Sequence, residues 1–156
     1  MRNSVLGPFL AVSLTAGMTA FSAGHAAAQA SSPHDIVGVW EAENGNIKLE
    51  MFDAGGSYAA RMLYGKLVME ADGKTFKKDT LNPDAALRDR SLEGIVFVTD
   101  LKWDARDGRW EGGNFYSGAT GRTMSAQAEL VGEKMEVRAY MGAPLLGQSL
   151  VFRRVQ

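Results

Sequence analysis

Between Arg122 and Leu130 the chain alternates: Met124, Ala126, Ala128 and Leu130 fall on one side of an extended strand, and Thr123, Ser125, Gln127 and Glu129 on the other. A period of two is the mark of a half-buried β-strand. The next stretch repeats it, with Met135, Val137, Ala139 and Met141 expected inward and Glu136, Arg138 and Tyr140 outward. Val131-Gly132-Glu133 between them predicts a tight hairpin, and Asn44-Gly45 predicts a type I′ turn. Extended along the chain, the pattern gives the candidate strands Ile36–Ala42, Asn46–Phe52, Ser57–Tyr64, Lys66–Glu70, Ile95–Asp100, Arg109–Tyr116, Arg122–Leu130, Lys134–Met141 and Gln148–Arg154. Glycine supplies most of the punctuation between them. The expected fold is all-β, an antiparallel up-and-down barrel, since sequential hairpins of about eight strands close naturally on themselves.

One segment breaks the meander. Residues 71–93 are polar, contain Pro83 and show no alternation, so they predict a long loop carrying one short helix. Asn82 is placed to cap it, with Pro83 at the first helical position and Asp84 in the first turn. Loops of this length in a compact domain are usually functional or packed as an ordered lid. Gly112-Gly113 and Gly118-Ala119-Thr120-Gly121 lack a strand-to-helix setting for a phosphate loop and predict a bulge and a hairpin turn.

The first thirty residues read differently. Met1-Arg2-Asn3 carries one positive charge, residues 5–21 are apolar or small, and Ala26-Ala27-Ala28-Gln29-Ala30-Ser31 offers cleavage after Ala28 or, preferred, after Ala30. That pattern predicts a cleavable signal peptide over 1–30 and a single domain over 31–156, exported to the periplasm. Gly17, Gly24 and His25 argue against a membrane anchor, because a spanning helix needs roughly 20 predominantly apolar residues. The chain has no cysteine, so neither a lipid-modified terminus nor a disulfide is expected. Removing Arg2 from seventeen Lys and Arg leaves sixteen against eighteen Asp and Glu, a formal −2. No basic face or amphipathic cationic stripe stands out, so neither nucleic acid nor a membrane surface is the expected partner.

Gly38-Val39-Trp40 on the first candidate strand and Arg154 near the end of the last resemble the Gly-x-Trp and terminal Arg of lipocalin-like barrels. The resemblance implies that Trp40 closes one end of the barrel and that Arg154 stacks over it. Lys78-Asp79-Thr80-Leu81-Asn82-Pro83-Asp84 and Leu87-Arg88-Asp89-Arg90-Ser91-Leu92-Glu93-Gly94 resemble the signature loop of a bacterial family, domain of unknown function 2147. Trp110-Glu111-Gly112-Gly113-x-x-Tyr116, Val137–Gly142 and Pro144–Gly147 are similar to its later motifs, so the resemblance runs from about Asp35 to Arg154. Ser91, Ser117-Gly118, Met124 and Phe152 depart from the pattern and mark a divergent member. Membership implies a signal-bearing, periplasmic, lipocalin-like barrel without an established activity.

Little familiar chemistry remains in the chain. After the signal, His34 is the one histidine, expected in a mobile tail, which leaves no basis for an N/S zinc site or a histidine-based nucleophile. No cofactor is expected. Asp79, Asp84, Asp89, Glu93 and Glu111 keep carboxylate catalysis open as a third reading, provided that two of them face each other about 5 to 9 Å apart. Asp79, Asp84, Arg88 and Arg90 form a candidate loop site, either gripping an anion in bidentate fashion or pinning the loop through internal ion pairs. Met51, Met62, Met124, Met135 and Met141 fall on inward faces beside Ala60, Ala126, Ala128 and Ala139, and methionine suits both irregular cores and adaptable apolar sites. The leading expectation is a barrel that holds a small, largely apolar molecule, lined by Tyr58, Met62, Tyr64, Met124 and Met135. The alternative is an envelope interaction or stress-related protein whose outer face or long loop meets a protein partner, with the barrel as scaffold.

Overall fold

The computed structural model describes residue 30 and residues 32–156, and in them eight antiparallel strands close into a barrel in chain order. They are β1 (Gly38–Ala42), β2 (Ile47–Asp53), β3 (Tyr58–Gly65), β4 (Val96–Asp104), β5 (Arg109–Ser117), β6 (Arg122–Val131), β7 (Lys134–Tyr140) and β8 (Gln148–Arg154). Closure runs through Trp40↔Arg154, Glu41↔Arg153 and Ala42↔Phe152 between β1 and β8. A closed sheet leaves no edge strand to template aggregation. Except for Ala30, the expected signal peptide lies outside the described residues.

Alternation becomes packing where it was clearest. On β6 and β7, Ala128 pairs with Val137 and Leu130 with Met135, and all four side chains are buried. Met51, Met62 and Met135 also lie in the core, beside Leu49, Trp40 and Phe152. Met141 does not: it lies beyond the end of β7, where the chain turns at Gly142, and is 62% exposed.

One end of the barrel is filled. The 3-10 turn Pro33–Ile36, capped by Ser32 and Asp35, tucks Ile36 into it. The Trp40 indole nitrogen donates to the Ile36 carbonyl at 2.8 Å, and that of Trp110 to the Pro33 carbonyl at 3.1 Å. Fully buried, each indole removes on the order of 200 Å2 from water, roughly 5 kcal/mol of transfer free energy. Arg154 stacks on Trp40 with its guanidinium carbon 4.2 Å from the ring centroid and donates to the carbonyls of Val37 and Asp35. Gly38 is needed for this closure: at φ 139 a Cβ there would meet the Arg154 guanidinium at 2.4 Å. His34 is correspondingly part of the plug and not in a tail, with its ring against Tyr58 and Nδ1 3.2 Å from the phenol oxygen.

Local expectations are corrected in four further places. Residues 66–70 are not a strand: Lys66–Val68 is a 3-10 turn that folds Val68 back against Gly65, and Met69 makes a single bridge to Phe76. Asn44-Gly45 does not form a two-residue I′ turn, since only Gly45 has positive φ and four residues separate β1 from β2. The loop helix is a three-residue 3-10 turn, Ala85–Leu87, capped by Asp84 and not by Asn82. Finally, β4 continues past Asp100, which at φ 61 is an extra residue bulged out of the pairing with β3.

Candidate functional site

The β1–β2, β3–β4, β5–β6 and β7–β8 connections gather at the other end of the barrel, and this end is hollow. Ile47, Met62, Phe97, Phe115 and Leu150 wall a cavity of about 300 Å3, roofed by Leu67 and Val68 from the 3-10 turn and by Gly118 and Ala119 from the β5–β6 hairpin. A second hollow of about 670 Å3 shares Phe115, Ser117 and Leu150 with it and continues past Met124 and Ala139 to Met141 and Leu146 at the rim. Phe97 reaches this wall because β4 bulges there: Arg61 pairs with Val96 and Ala60 with Val98, leaving Phe97 as the extra residue. Its ring meets Phe115 edge to face at 5.4 Å between centroids.

The five lining residues expected from parity separate. Met62 and Met124 line the hollow end. Tyr58 packs near the plug against His34 and Trp110, and Met135 is fully buried beside Phe152, so both belong to the filled half. Tyr64 sits opposite Lys48 after an irregularity that skips Leu63, which moves it from the inner to the outer face. Parity along β3 therefore fails beyond Met62. Phe97, Phe115 and Leu150 also wall the cavity and were not among the five expected lining residues, although Leu150 shares the face of Phe152 and Arg154 by parity. Arg122 shares the face of Met124 two positions away, a signal that was present in the sequence.

Asp79 is the hub of the long loop and is fully buried. Its Oδ2 accepts from Arg90 Nη2 at 2.8 Å, Arg90 Nε at 2.9 Å and Asn82 Nδ2 at 2.8 Å, while Oδ1 accepts from the Tyr116 hydroxyl. Burial, followed by this bond to the carboxylate, pushes the Tyr116 phenol up to about 12. Arg88 meets no carboxylate and donates instead to the carbonyls of Asn82, at 2.8 Å, and Pro83. Asp84 accepts from the Ala86 amide and caps the 3-10 turn. Thus Asp79, Arg90 and Tyr116 tie the loop to β5 beside the cavity, Arg88 and Asp84 brace the loop itself, and the guanidinium of Arg90 is occupied from within.

The carboxylates do not converge. Asp89 pairs with Lys78 on the surface, Glu111 with Arg109, and none of Asp79, Asp84, Asp89, Glu93 and Glu111 lines the hollow end. Among the described residues no three His, Cys, Asp or Glu side chains are grouped to hold a metal, and no helix is long and apolar enough to cross a membrane.

Among solved structures the chain is similar to HP1028 of the human pathogen Helicobacter pylori, described as belonging to the lipocalin family. The two are 24% identical, with a TM-score of 0.67 over 78% of this chain and 84% of that one. At that identity the likeness shows the fold, a lipocalin-like barrel. No curated protein matches the chain. Residues 38–154 match a family described as "Uncharacterized protein conserved in bacteria", a match that spans the barrel strands and the long loop and begins after the 3-10 turn Pro33–Ile36. The chain therefore belongs to this bacterial family, domain of unknown function 2147.

Proposed function

We propose that this protein is an exported, periplasmic binding protein that takes one small, largely apolar molecule into the hollow end of its barrel. The plugged end also has clefts, one of about 630 Å3 beside the charged Glu133, Lys134, Arg153 and Arg154, so the observation that carries the reading is the apolar character of the space at the other end. A barrel of eight strands is just wide enough to be filled by side chains or to hold one small ligand. Here Trp40, Trp110, Tyr58 and Ile36 fill one half, while an aromatic and aliphatic wall leaves about 300 Å3 empty in the other. That volume lies at the lower end of the range for small-molecule sites, roughly 300 to 1000 Å3. Fold likeness to lipocalins agrees with it and carries less weight than the cavity.

The test is binding of N-phenylnaphthylamine, a neutral dye that fluoresces in apolar surroundings, to the mature protein. Saturable binding of one dye per barrel is expected, and it should be lost in Ala119→Trp, which puts an indole into the roof of the cavity. Dye binding that is absent, or indifferent to Ala119→Trp, would overturn the reading. Native mass spectrometry of protein taken directly from its periplasm should show a retained small molecule.

A second reading has its own support. Leu145 and Leu146 are 86% and 76% exposed, and Leu67 is 73% exposed, all around the hollow end. Exposed leucines gathered at one end suit a protein partner docking there. Co-purification of one defined envelope protein, abolished by Leu145→Ser with Leu146→Ser while dye binding persists, would establish it.

A further inference from the structure

We infer that the ligand of the hollow end is an amphiphile with an anionic head, a carboxylate or a phosphate, whose head is held by Arg122 and whose tail lies against the apolar wall. The inference rests on the binding reading above and adds to it the charge of the ligand. Arg122 pairs with Ser117 in the β5–β6 ladder, in the same phase as Phe115↔Met124. It is therefore in the inward phase of β6, one such position beyond Met124, at the exposed rim, where it lines the wider hollow. Arg138 holds the β7–β8 connection through Pro144, Leu145 and Ser149, and Arg154 and Arg90 are engaged as described. Among the described residues Arg122 takes part in no such bond or ion pair.

The lining adds a second, independent asymmetry. Among the described residues, the cationic side chains that line the two hollows are Arg122 and Lys66, and no carboxylate lines either one. The chain as a whole carries slightly more acid than base. Beside Arg122 stand the hydroxyls of Ser117 and Thr120 and the amide of Gln148, neutral groups able to complete the hydrogen bonding of an oxyanion. Guanidinium binds carboxylate and phosphate through paired N–H donors, and such charge-assisted bonds are about twice as strong as neutral ones. A cationic amphiphile would gain nothing here, and an alcohol would forgo the charge-assisted bond.

The test displaces N-phenylnaphthylamine with four ligands built on ten-carbon chains: decanoate, decyl phosphate, decanol and decyltrimethylammonium. At neutral pH and moderate salt, both anions should bind about tenfold or more tightly than decanol, the difference expected of a hydrogen-bonded charge. The ammonium should bind most weakly. Arg122→Gln should remove the preference for anions while leaving decanol and dye affinity within about twofold, and Arg122→Lys should retain part of it. The ratio of decanoate to decyl phosphate affinity separates a fatty-acid-like head from a lipid or free phosphate monoester. Equal affinity for decanol and both anions in the parent protein, or an unchanged preference in Arg122→Gln, would overturn the inference while leaving the binding reading intact. Failure of dye and decanol alike would instead remove the binding reading itself.

Discussion

The Asp79 carboxylate is surrounded by a guanidinium, a carboxamide and a phenol, and this set determines how the long loop responds to pH. The Tyr116 phenol is raised to about 12 from its usual 10, first by burial and then by donating to Asp79. A raised pKa means that the folded state holds the proton more tightly than the unfolded state. The resulting stability is present in full below pH 10 and is lost as pH rises from there toward 12. In an alkaline titration followed by phenolate absorbance, the parent protein should show a tyrosine ionising near pH 12 that is missing in Tyr116→Phe. Urea midpoints should fall more steeply between pH 10 and 12 in the parent than in the variant. Equal slopes would show that Tyr116 is not locked onto Asp79. Asp79 and Arg90 were legible as candidates because charges rarely survive in a packed loop without partners. Tyr116 was not, because it lies thirty-seven positions from Asp79 and only folding brings the two together.

Among the elements, the β5–β6 hairpin connects the loop to the hollow end. Its turn carries Gly121 at φ 68, and a Cβ there would stand 2.0 Å from the Leu81 carbonyl oxygen. Gly121→Ala therefore combines left-handed strain of roughly 1 to 2 kcal/mol with displacement of the loop. It should lower the urea midpoint and speed trypsin cleavage of the loop at Lys74, Lys77 and Lys78 relative to the parent. A variant as resistant as the parent would mean that loop and hairpin are not coupled. Strand positions on β6 and β7 follow from the sequence because their alternation is unbroken. β3 and β4 do not, because bulges shift the phase: one takes Tyr64 outward and another brings Phe97 inward. A single extra residue reverses every parity argument beyond it.

For the molecule as a whole, one end supplies stability and the other leaves room for binding. A hollow forfeits dispersion contacts that its lining would otherwise make. A molecule that fills it should return them, stabilising the folded state by about 2.7 kcal/mol at one hundred times its dissociation constant. Saturating dye or decanol should raise the melting temperature of the parent and leave that of Ala119→Trp unchanged. The sequence by itself determined the all-β class, the order of the hairpins, the long loop between β3 and β4, and the Trp40–Arg154 closure, because each rests on near neighbours in the chain or on a terminal signature. Only the tertiary structure decided which inward residues fill and which line a space. Parity assigns a residue to a face, but height along the barrel axis depends on how strands stagger and which end is plugged. Arg122 shows both sides of this: its inward phase was in the sequence, and its position at the rim of the hollow end, without an ion pair among the described residues, emerged when eight strands closed into a barrel.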